Sequence, residues 1–77
     1  MHRAFYMANS FPTRSELHLD KRICTALDRV GLRTVADIVG QSSDQLMHVR
    51  GLGWRSIMEI EVALALYGIA LKPSEDE

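Results

Sequence analysis

A chain of 77 residues holds one domain at most, and at that size it buries too little surface to tolerate loose packing. Hydrophobic residues make up 47% of it and aromatic ones 6%, which suits a small aliphatic core and excludes a natively disordered chain. The single cysteine, Cys24, excludes an internal disulfide framework. No apolar run reaches the length of a membrane span, and "MHRAFYMANSFPTR" lacks the apolar core of a signal peptide, so a soluble, cytoplasmic protein is expected. The net charge of −1 is unevenly spread: residues 1–33 carry +3 and residues 34–77 carry −4, with three of those acids in the terminal "SEDE". A chain divided in this way offers a local basic surface without a strong long-range field.

In chain order, residues 1–14 show no period and are expected to form a flexible tail that includes Phe5, Tyr6 and Phe11. Thr13 and Glu16 stand at capping-box spacing and can close one helical turn over "TRSELHL". "LDKRICTALDRVG" predicts a helix with Asp20 as N-cap, Ile23, Leu27 and Val30 on one stripe, and Gly31 as its stop. "TVADIVG" opens with Thr34 and Asp37 and closes on Gly40, and "SSDQLMHVR" repeats the device with Ser42 and Gln45. "GWRSIMEIEVALALYG" places Ile57, Ile60, Leu64 and Tyr67 on one face and ends at Gly68. Ile69 and Leu71 in "IALKP" are then available to close the core, with Met47 and Met58 read as packing residues and Pro73 as the exit. Connections this short force an all-α, compact bundle of four to five short helices over residues 15–72, followed by an acidic disordered tail over 73–77.

The pattern Val49, Arg50, Gly51, Leu52, Gly53 between a short helix and a longer one is that of a helix-hairpin-helix. Glycines permit a sharp turn with positive φ and close approach of another backbone, while Leu52 pins the turn from inside. The unpaired N–H groups of the following helix, backed by its dipole, then form a seat for a phosphate. Two glycines also suit a plain tight turn between packed helices. Arg55 and Ser56 in the first helical turn tip the reading toward the anion, because an arginine there is unfavourable for the helix dipole.

The stretch "LHLDKRICTALDRVGLRTVADIVGQSSDQLMHVRGLGWRSIMEIEVALALYGIAL" resembles the C-terminal domain of the bacterial RNA polymerase α subunit. The resemblance covers about Leu17 to Leu71 and rests on several spaced elements in order: "LxLxxR", "GLRTVADIV", "SSDQL" and "RGLGWRSIMEIEVAL…YGIAL". It implies a domain that binds the minor groove of A·T-rich DNA, weakly as a monomer, and that meets activators, sigma factor or RNA polymerase. By position it implies a groove-entering Arg22, with Thr25 one turn on, and a phosphate-holding hairpin of Gly51, Gly53, Trp54, Arg55 and Ser56. Glu59 is expected to orient an arginine. A basic side chain in a narrow, electronegative A-tract groove is a physically sound pairing, and main-chain amides at the flanking phosphate set register without reading sequence. Departures from the family pattern are Thr25 and Gly51 where asparagine is usual, and Trp54 where a basic residue is usual. The tail ahead of Glu16 does not resemble the family's linker, so the reading leans toward a stand-alone relative over an excised domain.

A second function class is a protein-interaction module with little DNA binding of its own. The resemblance implies that its contacts are Arg14, Glu16 and His18 ahead of the first full helix, and Ser43, Asp44 and Gln45 at the acidic helix start. An enzyme is the least supported class. His2, His18 and His48 show no metal spacing with one another or with Cys24, no nucleophile elbow is present, and no acidic cluster of the kind nuclease chemistry needs appears. No catalytic residue, cofactor, metal, membrane or small-molecule substrate is expected.

Overall fold

The computed structural model describes residues 11–74. A 3-10 turn at Arg14–Leu17 is followed by four helices, α1 (Lys21–Arg29), α2 (Val35–Val39), α3 (Ser43–Met47) and α4 (Trp54–Ala65). Among the described residues no sheet forms, and an isolated parallel bridge joins Ser42 to Lys72. The protein is an all-helical, compact bundle of the helix-hairpin-helix type.

Helices of five residues do not hold themselves together in water, so α2 and α3 depend on their ends and on burial. Capping boxes close the 3-10 turn, α2 and α3, through Thr13 with Glu16, Thr34 with Asp37 and Ser42 with Gln45. Each cap is worth about 1 kcal/mol. Val35, Ile38 and Leu46 then insert into a core shared with Ile23 and Leu27 of α1 and with Ile57, Ile60 and Leu64 of α4. Gly31, at φ 80°, closes α1: its N–H donates to the Asp28 carbonyl and the N–H of Leu32 donates back to Leu27. Ile69 and Leu71 pack on the rim, where the Lys72 N–H donates to the carbonyls of Val39 and Gln41.

Four details differ from the sequence reading. Val30 is half-exposed, because it is the C-cap of α1 at φ −107°, where the helical period has ended. Tyr67 is also half-exposed: α4 ends at Ala65, and the side chain lies in the turn before Gly68, its hydroxyl donating to the Glu16 carbonyl at 3.4 Å. Asp20 occupies the N-cap of α1 without making a side-chain cap bond. Met47 and Met58 are half-exposed and not buried packing.

The caps also make stability acid-sensitive. The backbone N–H of Thr34, helped by the Thr34 hydroxyl and the N–H of Arg33, holds Asp37 below the usual carboxylate value of 3.8. A hydrogen bond from Arg14 at 2.7 Å does the same for Asp28. A carboxylate whose pKa is lower folded than unfolded contributes stability above the unfolded value and loses it as pH falls through the folded one. The thermal midpoint is therefore expected to hold from neutrality to about pH 5 and to fall below about pH 4. Asp37→Asn should flatten part of that slope in melts followed by circular dichroism. An identical acid slope in Asp37→Asn and Asp28→Asn would remove both groups from the account.

Candidate nucleic-acid interface

The helix starts fall into two groups. The 3-10 turn, α2 and α3 have complete capping boxes, whereas α1 and α4 have no side-chain cap and no acidic residue in the first turn. The uncapped ends present basic side chains instead: Lys21 and Arg22 open α1, and Arg55 lies in the first turn of α4, all exposed. Cations beside the positive end of a helix dipole, with the first-turn N–H groups left without a cap, are unfavourable for an isolated helix. An uncapped start of this kind suits an anion.

Two contacts tie α1 to α4 and its hairpin. The N–H of Asp20, at the start of α1, donates to Glu59 Oε2 of α4 at 3.4 Å. No ion pair joins the Glu59 and Arg22 side chains; Glu59 meets the backbone two residues before Arg22. On the other side, Gly51 backs onto α1: a Cβ at this position would sit 3.3 Å from the Ala26 Cβ, and its φ of 95° lies in the left-handed region. Leu52 is buried beneath the turn, and Val49 packs against the core beside it.

Gly53 behaves differently from the sequence reading. Its φ is −120° and its ψ −176°, an extended conformation open to any residue, so only Gly51 turns with positive φ. A Cβ on Gly53 would meet no atom within 4 Å. Nothing in the protein demands glycine there, and the space in front of the α4 start is open. Beside it, the Arg55 guanidinium lies over the exposed Trp54 ring, 5.5 Å from its centroid. Trp54 therefore packs against the neighbouring charge. Ser56 is half-buried in the same turn, and Thr25 is exposed on α1.

The residues expected to meet proteins lie on two separate elements. Glu16 and His18 are exposed at the 3-10 turn, His18 as its left-handed cap at φ 53°. Arg14 is engaged within the protein, by an ion pair to Asp28 at 2.7 Å and a bond to the Leu32 carbonyl at 3.1 Å. On α3, Gln45 is committed to the capping box. Asp44 accepts from the Ser74 hydroxyl at 3.2 Å, and its carbonyl meets the His48 ring at 3.0 Å. Ser43 is half-buried. His2 lies outside the described residues, and among those described no group of three or more His, Cys, Asp or Glu is placed to hold a metal ion. No helix among them is long and apolar enough to cross a membrane.

One surface was missed in sequence. Met58 and Val62 on α4 and Leu66 at its C-cap are exposed, in line with Trp54. The signal was present as a second apolar row at four-residue spacing, which the buried row of Ile57, Ile60 and Leu64 obscured.

A bundle in which a Gly-Leu-Gly turn joins the short α3 to the longer α4 defines a helix-hairpin-helix class of binding domain. Residues 15–66 match the family of the C-terminal domain of the bacterial RNA polymerase α subunit. The protein belongs to that family, whose members are non-catalytic DNA- and protein-binding domains. Among its relatives are the DNA-directed RNA polymerase α subunits of Symbiobacterium thermophilum, 36% identical, Heliobacterium modesticaldum, 38% identical, and Clostridium botulinum, 41% identical. Each comparison covers 64 residues, or 83% of this protein and 20% of the relative, so it spans about a fifth of those proteins' length.

Proposed function

We propose that the protein is a transcription-associated module that binds A·T-rich DNA, with Arg22 in the minor groove and the Gly51–Ser56 hairpin on the flanking phosphate. The observation that carries this reading is the pair of uncapped, basic helix starts, on helices that meet through Glu59 and the Gly51 hairpin. Thr25 stands one turn behind Arg22, within reach of the same groove wall. Trp54 keeps Arg55 over the hairpin. A single module with few phosphate contacts binds weakly. A cytoplasmic location accompanies the reading.

Titration of ¹⁵N-labelled protein with an A-tract duplex at low salt tests it. The amides of Gly53, Trp54, Arg55 and Ser56 and the start of α1 should shift, and should shift less with a G·C duplex. Shifts confined to α3, or none, would rule the reading out. Glu59→Ala supplies an independent check. Because the Asp20 bond is long and exposed, its loss should cost under about 1 kcal/mol of stability. DNA affinity should nevertheless fall a few-fold, because α1 then carries Arg22 less firmly. Glu59→Gln, which keeps an acceptor, should restore most of it.

The second reading is a module docking on sigma factor, an activator or RNA polymerase through Arg14, Glu16 and His18 or through Ser43, Asp44 and Gln45. The exposed carboxylates of Glu16 and Asp44 favour it. Co-purification with polymerase or sigma factor in the absence of any DNA shift would select it.

A further inference from the structure

Three exposed arginines lie around the point where the hairpin meets α1. Gly51 backs onto Ala26 there, where a Cβ on the glycine would sit 3.3 Å from the Ala26 Cβ. Arg22 and Arg29 stand four residues before Ala26 and three after it, so both neighbour it on one face of α1. Seven positions are close to two full turns, which keeps the pair within ~20° of one line and sets them about 10 Å apart along the axis. The acid of this helix is turned elsewhere: Asp28 lies on the far side of α1 from Ala26, held by Arg14 at 2.7 Å. Arg50 comes from the hairpin. In turn 49–52 the Leu52 N–H donates to the Val49 carbonyl at 3.0 Å, and Gly51, at φ 95°, takes the third position. Arg50 therefore occupies the second position, exposed and one residue from the Ala26 contact. Among the described residues neither the Arg29 nor the Arg50 side chain forms an ion pair.

We propose that Arg29 and Arg50 together hold an additional backbone phosphate of the DNA. The inference rests on the DNA reading and adds to it a contact that neither Arg22 nor Arg55 supplies. An anion beside Arg22 is about 10 Å from Arg29 along α1, too far for the two to share. Arg50 is the nearer partner: its Cα is about 3.8 Å from that of Gly51, and Arg29 stands about 5–6 Å from Ala26 between Cβ atoms. Two long side chains starting this close, from two different elements, reach one phosphate, and guanidinium bonds to phosphate are among the stronger ones. Arg29 also suits the last turn of α1, where a cation favours the helix dipole, but Arg50 lies in a turn and has no such reason. The contact reads no base. It fixes the protein on the duplex and gives the hairpin a charge that Trp54 does not.

Anisotropy titrations of A-tract and G·C duplexes with the native protein, Arg29→Gln, Arg50→Gln and the double variant test the proposal. Each single variant should weaken binding to both duplexes about fivefold, a uniform loss that leaves the A·T preference in place. The double variant should lose clearly less than the product of the two, because both arginines serve one phosphate. Its log–log salt slope should fall by about one. A purely structural arginine would lower the thermal midpoint and leave that slope unchanged, whereas these exposed positions should melt within a few degrees of the native protein. Native affinity and slope in the double variant, under conditions where Arg55→Ala weakens binding, overturn the proposal and leave the DNA reading standing. Losses that multiply overturn the shared phosphate. A native protein that binds neither duplex overturns both readings.

Discussion

Arg22→Ala and Arg55→Ala are each expected to weaken binding to an A-tract duplex about tenfold, near 1.4 kcal/mol, at low salt. The two losses should differ in kind. Arg22 opens α1, exposed and without a carboxylate partner in the described structure, so it is free to enter a narrow groove whose potential favours a cation. Its removal should erase most of the preference for A·T over G·C sequence. Arg55 lies in the first turn of α4, at the proposed phosphate seat, and its removal should lower affinity alike on all sequences. The log–log salt slope should drop by about one from an initial value near −3. Arg55→Lys should fall between, because an ammonium keeps the charge but loses the flat stacking on Trp54. Fluorescence anisotropy at several salt concentrations reads all of these. Native affinity and native slope in both alanine variants would end the DNA reading.

The two hairpin glycines are expected to respond to alanine in opposite ways. Gly51→Ala puts a Cβ on a residue at φ 95° and 3.3 Å from Ala26, which is tighter than ordinary contact. The left-handed conformation costs about 1–2 kcal/mol, and the contact adds to it by pushing the hairpin away from α1. A total of about 2–3 kcal/mol should lower the thermal midpoint by roughly 10 °C or more in a domain this small. Gly53→Ala has no such reason to destabilise. Its backbone is extended and its Cβ would meet nothing, so stability should change by less than about 1 kcal/mol, the usual effect of alanine at an N-cap. DNA affinity should nevertheless drop several-fold, since the methyl group would stand in the space a phosphate needs. Melts together with anisotropy separate the two. Gly53→Ala with native affinity would show that the open space is not used by DNA.

Much of the fold was legible because its punctuation is local. Thr13, Thr34 and Ser42 each meet a partner three residues on, and the bonds that close those turns are the ones the spacing implied. The exceptions cluster where a helix stops. Val30 and Tyr67 were assigned to buried faces by a period that had already ended, and a period extrapolated by two residues turns a side chain through half a circle. At the site, the residue types and their order were legible, including the Gly-Leu-Gly turn with Arg55 and Ser56 behind it. The different tasks of the two glycines were not. Gly51 is required by its φ and by Ala26, twenty-five positions earlier in the sequence, and no local pattern carries that contact.

By itself, the sequence determined an all-helical fold, its three capping boxes and the family to which it belongs, because each of these is written in spacings of three or four residues. Only the tertiary structure decided that Glu59 reaches Asp20 across thirty-nine residues, that Gly51 backs onto Ala26, and that Trp54 packs against Arg55 while heading an exposed apolar row. Those outcomes depend on how α1 and α4 pack. Packing selects one of the two apolar faces of α4 for the core and leaves the other to water, a choice that the period of the helix alone leaves open.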